Sequence, residues 1–125
     1  MIMSYTAAAL AALVGVGVIA IGTRYLIAPI ASGATFGFPG RPASDATPWL
    51  NLKGVRDIVS GLVIFALLGT GQLHTVGIFM LVAALIPVGD ALMVLRHGGS
   101  RSLAYGMHGG TAAAMVVIGS LLLAG

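Results

Sequence analysis

The stretch Asn51-Leu52-Lys53-Gly54-Val55-Arg56-Asp57-Ile58-Val59-Ser60-Gly61 sets three charges at the start of an apolar segment that runs on to Leu68. Gly54, Asp57 and Gly61 recur at three- and four-residue spacing, which on a helix is a single face. A glycine face is where another helix packs closest, so this segment reads as a helix with Asp57 turned toward its neighbours. Arg56 falls on the adjoining face with Lys53 and Ser60, from which a long side chain either leans inward or runs to the surface.

The composition says what surrounds that helix. Hydrophobic residues make up 58% of the 125 and charged residues 7%, against roughly 25% charged in a soluble domain, so a water-exposed surface cannot be covered. The chain reads as an all-α, multi-pass protein of the cell membrane, a single domain forming a four-helix transmembrane bundle. Four spans of about 20 residues fit its length. The +3 charge comes from six basic and three acidic residues, too scattered for a nucleic-acid surface. No cysteine is present, which removes disulfides and thiolate metal sites.

Working outward, the first span is expected over about residues 5–30. Met1 to Thr6 carries no side-chain charge, unlike a signal-peptide n-region, so this segment is expected to remain in the mature protein. Residues 31–48 are rich in Gly, Pro, Ser and Ala, and Pro39 and Pro42 argue against helix. They read as the one long loop, either a surface connection with Phe36 and Phe38 at the interface or a lid over a pocket. Thr47-Pro48 looks like an N-cap and first turn opening span two, about 48–69, with Trp49 at the membrane boundary. Gly69 to His74 is a tight turn into span three, about 73–95, where Pro87 should bend the helix one turn before Asp90. Ser102 is a candidate cap for span four, about 103–124.

Arg41 lies between spans one and two, and Arg96 and Arg101 between spans three and four, while the opposite loop carries no Lys or Arg. Positive loops stay inside, so both termini are expected outside. With the span ends so set, a rise of 1.5 Å per residue puts Arg24, Arg56, Asp57, Asp90 and His108 about 6 to 11 Å below one boundary. Tyr105, His108 and Thr111 then form the polar stripe of span four. Acids at this depth are costly alone and are expected to pair, preferentially with the guanidinium of Arg56 or Arg24 and otherwise with Lys53. Dispersed histidines and the lack of cysteine speak against zinc, and nothing calls for a cofactor.

Lys53-Gly-Val-Arg56-Asp57 with Gly61, Ile86-Pro-Val-Gly-Asp90, Arg96-His97-Gly98 and His108-Gly109 resemble the small four-span membrane proteins of bacteria and fungi grouped as a domain of unknown function, similar in size and layout to DoxX-like proteins. The resemblance implies a four-helix membrane bundle with these polar residues as its signature, and it brings no reaction.

Three functions compete. Asp57, Asp90, Arg56 and His108 are candidate catalytic groups of an epoxide hydrolase- or isomerase-like enzyme acting on a lipophilic small molecule. Lys53, Arg24, Tyr105 and Trp49 are the candidate substrate-binding residues. The same charges serve equally as a salt-bridged strut in a membrane scaffold. A proton-coupled transporter is the third reading, weakened because the first span carries no acid. The expected partners are the bilayer and the lipophilic molecule, and a homo-oligomer is compatible with the sequence. An enzyme needs an apolar cavity reaching Asp57 and Asp90, a transporter needs a water path to both sides, and a scaffold needs every charge paired with no cavity.

Overall fold

The computed structural model describes residues 2–125 and is all-helical among them. Helix α1 spans Ile2–Ile27 and α2 Pro29–Gly33; after a loop closed by a 3-10 turn at Ser44–Ala46, α3 spans Thr47–Gly69. Helices α4, Leu73–Ala83, and α5, Leu85–Arg96, are nearly continuous; a π-helical segment, Leu103–His108, then leads into α6, Gly109–Ala124. Three of the resulting rods, Ile2–Ile27, Leu73–Arg96 and Leu103–Ala124, are long and apolar enough to cross a membrane. The α3 rod has the length, but Lys53, Arg56 and Asp57 fall in its first half.

Glycines build the rods into two close pairs. On the face containing Gly54 and Gly61, a Cβ added at Gly54 would lie 2.6 Å from the Gly22 carbonyl oxygen, and one at Gly61 would lie 2.7 Å from that of Gly15. These approaches bring the α1 and α3 backbones into contact, which only glycine permits. Helices α4 and α6 meet in the same way through Gly77 and Gly119. The two pairs join at one end around Ala7, Ala11, Ile64, Val76, Met80, Met115 and Leu122. Toward the other end, α5 leans on the π-helical segment and α6 rather than on α1 or α3. That splay leaves the space in which the polar residues lie.

Prolines shape this open end. Pro29 has no N–H to donate to the Tyr25 carbonyl four residues earlier, and the Asn51 side chain donates to it instead at 2.9 Å. The bond fixes α3 to α1 nearly two turns before Asp57. Pro87 likewise withholds the donor from Ala83, and the helix breaks at Ala84, between α4 and α5.

Three local expectations change. Residues 29–33 of the expected transition to the loop form α2 instead, capped back onto α1 by Ser32 Oγ, which donates to the Arg24 carbonyl at 3.0 Å. Thr47 is already helical and makes no side-chain cap, because the preceding 3-10 turn supplies the helix start. Ser102 is helical too, and Ser100 does the capping, its Oγ accepting from the Leu103 N–H at 3.1 Å.

The loop after α2 is tied down. Gly37, with φ +122°, offers its carbonyl to the Ser100 N–H at 2.8 Å, and a Cβ there would press on Val94 and Leu103. Phe36 stacks on Phe38 at 5.2 Å, and Phe38 meets His97 edge-on. The loop is therefore held over the open end of the bundle.

Candidate functional site: a polar layer lining a cavity

Lys53 and Asp57 are one helical turn apart, which points both side chains the same way. The Lys53 ammonium donates to Asp57 Oδ2 at 2.7 Å and lies over the Tyr25 ring at 4.2 Å, with Phe36 at 5.6 Å. Two aromatic faces and a carboxylate thus surround one cation in a half-buried setting. The arginines expected to take this carboxylate do not. Arg56 lies about 100° around the helix from Asp57 and is exposed, and Arg24 is exposed at the end of α1.

Asp90 approaches from α5. Its carboxylate is 3.9 Å from His108 Nδ1, too far for a hydrogen bond, and its side chain keeps 32% exposure. His108 is buried, with Nε2 2.7 Å from the Phe36 carbonyl oxygen. A carbonyl only accepts, so Nε2 carries the proton, and in the neutral ring Nδ1 presents its lone pair toward Asp90. The loop and the site therefore share one hydrogen bond.

The π-helical segment changes which residues accompany His108. With more residues per turn than an α-helix, it takes Tyr105 off the expected stripe. Tyr105 is 67% exposed and lies on the wall of neither space described below. Thr111, beyond the wide turns, does line the cavity beside His108.

A cavity of about 540 Å³ draws walls from all four rods. Arg24, Lys53, Asp57, Asp90 and His108 line its loop end, while Val18, Ile64, Phe79 and Met115 line the rest. The second space, about 660 Å³, lies outward between α3, α5 and the loop and is lined by Arg41, Trp49 and Arg56. Both share Tyr25, Phe36, Lys53, Asp57 and Asp90, so they meet across these side chains. Trp49 is 74% exposed at the outer mouth. Sequence reasoning missed Tyr25 as a wall of the site. Its signal is position, three residues beyond Gly22 on the face that packs against α3.

Chemically, the arrangement offers a carboxylate with a lone-pair nitrogen beside it and an ammonium held close by. It can take up a proton at Asp90 and stabilise a developing oxyanion with Lys53, at the edge of an apolar chamber.

No curated protein and no solved structure matches the chain. A protein-family comparison does: residues 15–122 match a family described as "Domain of unknown function (DUF4267)". A match over that much of the 125 residues identifies this small helical membrane protein as a member of that family.

Proposed function

We propose that this protein is a membrane-embedded acid/base enzyme acting on a lipophilic small molecule, either adding water to an epoxide or shifting a proton in an isomerisation. The observation that carries this reading is the shared cavity: Asp57, Asp90, Lys53 and His108 line one space that continues into an apolar chamber. A scaffold would close its charges on one another, and here Asp90 has only the long approach to His108.

In epoxide opening, Asp90 takes a proton from water as its oxygen attacks an epoxide carbon. The breaking C–O bond leaves an oxyanion that accepts a proton from the Lys53 ammonium, and the proton on Asp90 returns to Lys53 through water, giving a diol. In an isomerisation, Asp90 removes a proton from carbon next to a carbonyl, Lys53 stabilises the enolate, and the proton is returned at a second carbon. His108, its ring fixed by Phe36, holds its Nδ1 lone pair 3.9 Å from Asp90 as a transient station for that proton before it moves on. Asp57 orients Lys53. Purified protein incubated with a farnesyl epoxide in ¹⁸O-water tests the hydrolytic branch, diol carrying one ¹⁸O being expected. Deuterium exchange into a matching enone tests the other.

The reading takes α3 as a fourth span, stabilised across the membrane by packing its charged face on α1 and the loop. Arg41, Arg96 and Arg101 then face the cytoplasm and both termini lie outside. With single cysteines introduced at Ser100 and Gln72, a membrane-impermeant maleimide added to intact cells is expected to label Gln72→Cys only. Labelling at Ser100→Cys from outside would reverse the orientation.

A further inference from the structure

We infer that the ligand of this cavity is a single-chain amphiphile with an anionic head, phosphate or carboxylate. Its head is held at the outer mouth by Arg41 and Arg56, and its chain runs inward past Lys53 and Asp90. This deepens the enzymatic reading by naming the substrate class, and its test is a binding measurement that stands without turnover.

The charge balance of the walls points to an anion. Lys53 is neutralised by Asp57 at 2.7 Å, which leaves Arg41 and Arg56 facing the outer space with no ion pair to either among the described residues. Asp90, on the inner side, is the remaining acid on the same walls. A guanidinium at a membrane boundary is best satisfied by a planar or tetrahedral oxyanion, which it grips through two parallel bonds. Trp49 at the same mouth marks the depth at which lipid heads lie.

The shape of the space points to a chain behind that head. The outer space and the chamber meet across Tyr25, Phe36, Lys53, Asp57 and Asp90. A head on the arginines therefore sends its chain past the reactive groups into the apolar part, toward Ile64 and Met115. Few positions along such a chain come beside Asp90, so the arginines would also select which carbon reacts.

The test uses the full chain in nonionic detergent, with dodecyl phosphate, dodecanol, inorganic phosphate and dihexanoyl phosphatidic acid as probes in calorimetric titration. Dodecyl phosphate is expected to bind at least about 10-fold more tightly than dodecanol. Arg56→Gln and Arg41→Gln should each reduce that preference, and Arg101→Gln, away from both spaces, should retain it. These arginines are exposed and unpaired, so their glutamine variants are expected to fold. Inorganic phosphate at millimolar concentration should not displace the amphiphile. Equal binding of dodecanol, or a preference unchanged in both variants, overturns the anionic head. Tighter binding of dihexanoyl phosphatidic acid than of dodecyl phosphate overturns the single-chain assignment and makes the ligand a membrane phospholipid. Asp90→Asn, which removes the remaining acid from these walls, should strengthen the preference whether or not Asp90 is the catalytic base.

Discussion

Asp90→Asn is expected to lower turnover of the lipophilic substrate by at least about 100-fold, the usual contribution of a general acid or base, while the bundle melts no earlier than the wild type. The two halves of this result have separate causes. Asparagine keeps the size of the side chain but cannot take up a proton. Stability is spared because the carboxylate makes no short contact: its approach to His108 is 3.9 Å, and His108 is anchored independently to Phe36. Removing an acid from a membrane helix also lifts an insertion cost of the charged form, about 2.5 kcal/mol at a helix centre and less nearer the boundary. A strut behaves oppositely, so a large loss of stability in Asp90→Asn with unchanged turnover would end the enzymatic reading. Asp57→Asn supplies the contrast, because it leaves the Lys53 ammonium without its carboxylate. Lower stability is expected there, with Lys53 kept near the site only by Tyr25 and Phe36.

The second large effect is structural. Gly54→Leu should separate α1 from α3 and destabilise the bundle by about 3 kcal/mol or more, beyond the usual 1–3 kcal/mol for overpacking, because the added atoms meet backbone. A Cβ at Gly54 already lies 2.6 Å from the Gly22 carbonyl oxygen and 3.1 Å from Tyr25 Cβ, neither of which can rotate away. The gain in helix propensity, up to about 1 kcal/mol, does not offset this. Gly110→Ala is the control: nothing lies within 4 Å of its added Cβ, so stability should stay level or rise slightly. Unfolding in mixed micelles, followed by circular dichroism, reads both. A Gly54→Leu protein as stable as the wild type would show that the glycine contact does not hold the pair together.

The all-helical fold and the membrane setting are legible in the sequence because composition and run length are averages over many residues. The close-packing face of α3 is legible for a different reason: Gly54 and Gly61 carry a helical spacing that survives folding unchanged, while the identity of α1 as the partner comes from the fold. What pairs with Asp57 was harder to read. Charge type favours arginine, but helix geometry favours the residue one turn away, and Lys53 already occupies that position. Tyr105 leaves the expected stripe because that stripe assumes 3.6 residues per turn, and the wide turns at Leu103–His108 break the assumption. The loop's hold on His108 has no local signal at all. It joins residues 72 apart in sequence, a pairing that only the tertiary fold creates.

That a lipophilic molecule enters the chamber is the claim on which the account rests, and photolabelling tests it without knowledge of the substrate. A dodecyl phosphate carrying a diazirine at its far end is bound, irradiated and mapped by mass spectrometry. Adducts are expected on the chamber walls at Ile64, Phe79 and Met115. They should be lost in Gly17→Leu, which narrows the chamber at a position where an added Cβ meets nothing within 4 Å. Adducts confined to outward-facing residues such as Val59, Leu62 and Val116, and unchanged in Gly17→Leu, would contradict it.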